Sequence, residues 1–312
     1  MIAFVFPGQG SQRVGMGRAL ADAFPECRAV FEEADATLGE SLSRVCFEGP
    51  EEQLRLTENT QPAILTVSVA AARLLATRGI VPVMAAGHSL GEYSAHVAAG
   101  TLAFADAVRT VRRRGRYMQE AVPVGHGAMA AILGLDGESV ARACEEAAEG
   151  DVVAPANLNA PGQVVIAGTT AAVARAGERA KALGAKRIVP LPVSAPFHCA
   201  LMQPAQDRLA PELRALSVRA PSVPVVANVD AAPKTDGQSA VDALVRQVSA
   251  PVRWEEVVRT LASAGVRAYV EVGPGTVLSG LIRKIDRTAR VANLETPSDL
   301  DAVERLVAEV TV

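Results

Sequence analysis

The chain has 312 residues, 49% apolar, 21% charged and 4% aromatic, with 31 basic against 34 acidic side chains for a formal charge of −3. That mix belongs to an ordinary globular protein, one large domain or a core domain with a smaller insert, whose core is built from Ala, Val and Leu. It lacks the basic excess of a nucleic-acid binder, and its four scattered cysteines (Cys27, Cys46, Cys144, Cys199) form no C-x-x-C pair, so neither a zinc site nor a disulfide framework is expected.

The first apolar segment, residues 2–6, is closed by Pro7-Gly8 and reads as a strand buried on both faces. It has no basic leader and no small-residue cleavage site, so no signal peptide is expected. Helical patterns follow at 19–38 and 61–78, then a buried strand at 81–86 and helices at 90–99 and 104–120. The longest apolar stretch, 63–72, is closed by Arg73 and is too short to span a bilayer. Reduced thiols and the lack of a membrane span point to the cytoplasm.

The character changes at Pro123-Val124-Gly125. Strand patterns at 128–133, 152–157, 164–167 and 187–193 alternate with helices at 138–148 and 171–183, a β-α-β-β-α-β order. This predicts a ferredoxin-like α+β subdomain over 124–193, inserted into an α/β catalytic subdomain made of 1–123 and 194–312. Strands at 224–228 and 268–272 complete the larger part, which is expected to be a three-layer, α/β-hydrolase-like core.

Gly87-His88-Ser89-Leu90-Gly91 lies between a strand and a helix, the setting of a nucleophile elbow. A sharp turn there exposes the central serine at the sheet edge, and Gly87 and Gly91 leave room for strand and helix to pass. The helix start aims the Leu90 amide where an oxyanion develops. Among the four histidines, His88 is inside the elbow and turned away, His96 is a turn or more into the next helix, and His126 enters the insert. His198, on the Pro-containing loop 193–198 where the insert returns to the main domain, is the best candidate base. No acid stands at a recognisable position to orient it; Asp207 and Glu212 follow in a helix.

The motifs Phe6-Pro7-Gly8-Gln9-Gly10-Ser11-Gln12, Gly87 to Glu92, Arg114 with Met118-Gln119, Asn157-x-Asn159-x-Pro161-Gly162-Gln163, the 194–198 stretch and Glu271-Val272-Gly273-Pro274-Gly275 occur in the order seen in malonyl-CoA:acyl carrier protein transacylases, and the chain resembles that family over nearly its whole length. The resemblance implies Ser89 as the nucleophile that holds a malonyl ester and His198 as general base and acid. It implies the backbone amides of Gln9 and Leu90 as the oxyanion hole, and the main-chain carbonyl of Gln247 as the group that orients His198. It implies malonyl-CoA and an acyl carrier protein as partners; the ping-pong chemistry needs no metal and no cofactor beyond the thioester itself, and a monomer is the default expectation. A stand-alone chain of this kind points to fatty-acid synthesis, with polyketide synthesis the alternative.

Arg114 carries the case for malonate. On a helical wheel, Phe104, Val108, Val111, Gly115 and Met118 form the apolar face, Arg109, Arg112, Arg113 and Arg116 lie on the solvated side, and Arg114 sits at the border of the buried face. A cation leaning inward needs an anionic partner. The resemblance supplies one in the free malonyl carboxylate; a salt bridge to Glu120 or to a neighbouring element is the alternative. Phe197 resembles malonyl-selective members, where a ring crowds an α-methyl branch. Asn157, Asn159 and Gln163 either bond the substrate or cap the insert's loop, and Cys199 is expected to be a packed thiol. The nearest rival activity is a serine thioesterase or acyl hydrolase, in which water resolves the ester. A dinucleotide or P-loop site at Gly8-Gln9-Gly10 is excluded, because Arg13 and Met16 stand where glycine and lysine are required.

Overall fold

A computed structural model describes residues 1–193 and 195–311; Ser194, which begins both the 194–198 motif and the second catalytic segment, and Val312, which ends it, lie outside them. Among the described residues ten strands divide into two sheets: β1 (Ile2–Phe6), β2 (Met84–Gly87), β3 (Gly127–Leu133), β4 (Val153–Ala160), β5 (Gln163–Thr169), β6 (Arg187–Pro190), β7 (Val225–Val226), β8 (Pro233–Lys234), β9 (Ala268–Val272) and β10 (Arg290–Leu294). The large sheet has the order β10-β9-β1-β2-β7-β8 and is parallel except at its last pair. The small sheet is antiparallel, in the order β4-β5-β3-β6.

β1 shows why the large part has three layers. Side chains alternate across a strand, so Phe4 and Phe6 enter one core with the helix Thr57–Thr77, while Ala3 and Val5 enter another with Trp254, Val257 and Leu261. Both faces of the sheet are therefore covered by helices, and β1 is buried throughout. The small sheet keeps its own core, with Ile132 and Ile166 against Val140 and Ala172 of its two helices, Gly137–Ala148 and Thr170–Ala182. Between β4 and the large part, Leu158 N–H donates to Val252 O (2.9 Å) and Val252 N–H to Ala156 O (2.9 Å). These bonds hold the neighbouring Asn157 at the junction.

Several elements depart from the sequence pattern for identifiable reasons. The expected helix at 19–38 is two helices, Arg18–Ala23 and Pro25–Leu38, because Phe24 is extended and Pro25 starts the second. The helix expected from 61 begins at Thr57; Pro62 within it cannot donate to Glu58 O, and Arg112 Nη1 reaches that carbonyl instead (3.4 Å). β2 starts only at Met84, since Val81 and Val83 are exposed. β6 stops at Pro190 before Pro192, and the strand expected over 224–228 is two residues long.

Candidate active site

The site lies at the carboxyl ends of β1 and β2, where parallel strands deliver their following turns to one edge. Ser89 connects β2 to the helix Leu90–Ala98 with φ 52° and ψ −107°, a left-handed, strained conformation for a residue with a side chain. The glycines explain how the turn closes: a Cβ on Gly87 would lie 2.0 Å from the backbone of Gly91. Asn228, just after β7, stabilises it, accepting from Ser89 N–H (2.7 Å) and donating to Gly87 O (2.7 Å).

Ser89 Oγ lies 2.7 Å from His198 Nε2, and His198 Nδ1 lies 2.9 Å from the Gln247 carbonyl. A carbonyl only accepts, so Nδ1 carries the proton and Nε2 presents its lone pair to the serine hydroxyl. His198 is buried, and burial, reinforced by the charge of Arg114 and partly offset by the Gln247 carbonyl, lowers its pKa to about 3. The imidazole is thus neutral at physiological pH, the form a base requires. Asp207 and Glu212 take no part: Asp207 accepts from Gln203, and Glu212 pairs with Arg113 and Tyr117.

Arg114 is 1% exposed, deeper than a border position. Its Nη1 donates to Gln61 Oε1 (2.8 Å), and its Nη2 donates to Gln247 Oε1 (2.9 Å) and to Ser89 Oγ (3.2 Å). Its Nε has no partner among the described residues, and the guanidinium lies 5.5 Å from the Tyr93 ring centre. The expected alternative, a bridge to Glu120, is absent because Glu120 pairs with Arg208. The neighbouring arginines have acidic partners: Arg109 with Asp106, Arg112 with Glu40, Arg113 with Glu212 and Arg116 with Glu58. Arg114 makes no such direct pair among the described residues; its ligands are neutral, and burial lowers its pKa. A buried cation beside a nucleophile, hydrogen-bonded only to neutral groups and with the Glu92 charge offsetting its burial in part, can receive an anion.

Gln9, Ser89, Arg114, Phe197, His198 and Asn157 line one cleft of about 530 Å³. Gln9 is brought there by a close approach: a Cβ on Gly8 would stand 2.4 Å from His88 O, so only glycine lets that loop rest on the elbow. Among the described residues neither the Gln9 nor the Leu90 backbone N–H has a protein partner. Gln163 accepts from Lys284 Nζ (2.8 Å) at the start of β5 and is not among the residues lining the cleft. Asn159 bonds His88 Nε2 (2.8 Å), holding that ring against Trp254 and away from Ser89. Cys199 is a buried thiol donating to Pro196 O (3.1 Å). Sequence reasoning missed Gln61 and Asn228, buried polar residues whose only signal was that polarity, and gave no role to Glu92, which closed a quoted motif and is also buried.

Residues 3–298 match the family described as the acyl transferase domain. Over 305 residues the chain is 56% identical to the malonyl CoA-acyl carrier protein transacylase of Escherichia coli (strain K12), covering 97% of this chain and 99% of that protein. An acyl carrier protein S-malonyltransferase from Vibrio cholerae has a solved structure that matches with a TM-score of 0.95 at 50% identity, covering 97% of this chain and 99% of that one. A malonyl-transacylase solved in complex with its type II polyketide acyl-carrier protein matches with the same TM-score, identity and coverage.

Proposed function

The chain belongs to the acyl transferase family, and from that premise we propose that Ser89, His198 and Arg114 are its working residues. It is an acyltransferase that moves a malonyl group from coenzyme A to an acyl carrier protein. The observation that carries the assignment of residues is that one oxygen, Ser89 Oγ, is approached by both His198 Nε2 (2.7 Å) and Arg114 Nη2 (3.2 Å).

In the first half-reaction Ser89 Oγ attacks the thioester carbonyl carbon as its proton passes to His198 Nε2. The carbonyl oxygen becomes an oxyanion, received by the Gln9 and Leu90 amides. The carbon–sulfur bond then breaks, and the imidazolium returns its proton to the departing thiolate. The second half-reaction reverses these steps with the carrier's pantetheine thiol. Each electron pair and proton moves between substrate and chain, so the route calls on no cofactor. An acyl group esterified to Ser89 with a free carboxylate would place that carboxylate against Arg114, whereas an acetyl group would leave the cation without an anion. Phe197 narrows the same cleft, and Asn157 faces it from β4. We take 124–193 as an inserted subdomain bearing Asn157 and 1–123 with 194–312 as the catalytic one. We also place the enzyme in the cytoplasm and read it as a monomer; no helix of the described residues is long and apolar enough to cross a membrane.

The test is to load the protein with radiolabelled malonyl-CoA or acetyl-CoA and follow label onto Ser89 and onto added carrier protein, with Ser89→Ala and Arg114→Ala alongside. Malonyl label that requires Ser89 and passes to the carrier supports the reading. Free malonate released at the same rate without carrier would make the protein a hydrolase. Fatty-acid and polyketide carriers, compared in the same assay, decide which pathway is served; we favour fatty acids.

A further inference from the structure

The helix after the elbow, Leu90–Ala98, carries a carboxylate into the interior. Glu92 is fully buried, and its Oε2 accepts from Asn228 N–H (2.8 Å) and Gln247 Nε2 (2.8 Å), while Oε1 has no partner among the described residues. Gln247 is equally buried and is the hub of the site. Its main-chain carbonyl takes the His198 proton (2.9 Å), its Oε1 takes Arg114 Nη2 (2.9 Å), and its Nε2 also donates to Ser89 O (3.0 Å). A side-chain amide has one accepting and one donating end. Turned over, Gln247 would set N–H against the donor-only guanidinium and oxygen against both Glu92 Oε2 and Ser89 O. What fixes the donating end therefore decides whether Arg114 meets an acceptor.

We propose that Glu92 is a positioning residue for malonyl selectivity, acting through the Gln247 amide to hold Arg114 where the acyl carboxylate of a Ser89 ester must bind. The proposal rests on the reading of Arg114 as the carboxylate's receptor. Glu92 touches neither substrate nor reacting atoms. It sets the direction of one hydrogen bond, and through it the guanidinium.

The geometry separates position from charge. Glu92→Gln can place its carbonyl oxygen where Oε2 stands, keeping both accepted bonds, with its NH₂ at the partnerless Oε1 position. Glu92→Asp keeps the charge but withdraws the carboxylate by about 1.5 Å, one carbon–carbon bond. The experiment measures kcat/KM for malonyl-CoA and acetyl-CoA on the same sample of each variant, so that the ratio is independent of the folded fraction. Glu92→Asp should lower the malonyl-to-acetyl ratio about tenfold or more, the scale of a hydrogen bond to a charged group, and Glu92→Gln should stay within about threefold of the unsubstituted protein. Gln247→Leu should show the same loss as Glu92→Asp, with no further loss in the double variant. A merely structural role would depress both substrates together and leave the ratio unmoved. The proposal is overturned if Glu92→Asp and Gln247→Leu keep the ratio, or if Glu92→Gln falls as far as Glu92→Asp. Arg114→Ala distinguishes the two levels: a retained ratio there sinks the reading of Arg114, while a lost ratio there with an intact Glu92→Asp sinks only this proposal.

Discussion

The main-chain carbonyl of Gln247 receives the Nδ1 proton of His198 at 2.9 Å, in the place where a carboxylate often stands. A neutral carbonyl fixes the tautomer as well as an acid would, but it stabilises imidazolium less. With burial and the nearby Arg114 charge acting in the same direction, His198 is pushed to about 3. Nitrogen-15 NMR of the labelled protein should show His198 as the neutral Nδ1–H tautomer at pH 5, where an ordinary histidine is mostly protonated. Arg114→Ala removes the second cause and leaves the first, so the His198 pKa should rise while staying below the ordinary value. A fully protonated ring at pH 5 in the unsubstituted protein would contradict the geometry.

Gly8 sets the distance between the Pro7-Gly8-Gln9 loop and the elbow. Because a Cβ there would stand 2.4 Å from a backbone oxygen, no side-chain rotation relieves it, and Gly8→Ala must move the loop. The Gln9 amide moves with it. Loss of one preorganised oxyanion donor costs about 10²–10³ in kcat. Gly8→Ala should therefore lose about that much in acyl transfer while substrate KM changes little, measured by single-turnover loading of Ser89.

The strained turn at Ser89 depends on Asn228, which satisfies one N–H and one carbonyl of the elbow. Asn228→Ala leaves both unpaired, the Gly87 carbonyl fully buried and the Ser89 N–H partly so, a cost of about 1–3 kcal/mol for the buried group. Urea unfolding should register that loss. The kcat per titrated active site should also fall, because the turn relaxes and Ser89 Oγ leaves His198. Unchanged kcat in a destabilised protein would show that the turn is held by its glycines alone.

How far the sequence revealed this site follows from what each signal depends on. The elbow and the helix 104–120 were legible because strand-turn-helix context and helical periodicity are local, and the inward lean of Arg114 came from the same periodicity. The ferredoxin-like insert was legible from element order, although β6 ended early at its prolines. The carbonyl of Gln247 was not legible from residue chemistry, because any residue supplies a carbonyl; only the family resemblance pointed to it. Gln163 shows the converse, since a polar residue in a motif binds whatever is near, and here that is Lys284. Glu92, Gln61 and Asn228 are assembled by contacts across 19 to 155 residues of chain, which no local pattern encodes.

Glu92 gives the last prediction, one of stability. Burial raises its pKa from 4.5 to about 7, offset in part by the Asn228 N–H, Gln247 and Arg114. Between those values the folded protein binds more protons than the unfolded chain, so this group's contribution is present below pH 4.5 and is lost as pH rises through 7. Glutamine cannot ionise and escapes that loss. The stability of Glu92→Gln relative to the unsubstituted protein should therefore grow from pH 4.5 to pH 8, by up to about 3 kcal/mol, in urea unfolding at matched ionic strength. His198 is common to both proteins and cancels in the difference. If the unsubstituted protein instead gains on the variant as pH rises, the Arg114 charge outweighs the desolvation of Glu92, and the two form an ion pair relayed by Gln247 rather than a cation awaiting its anion. That result would bear directly on selectivity, because a cation already neutralised from within has less to gain from a malonyl carboxylate.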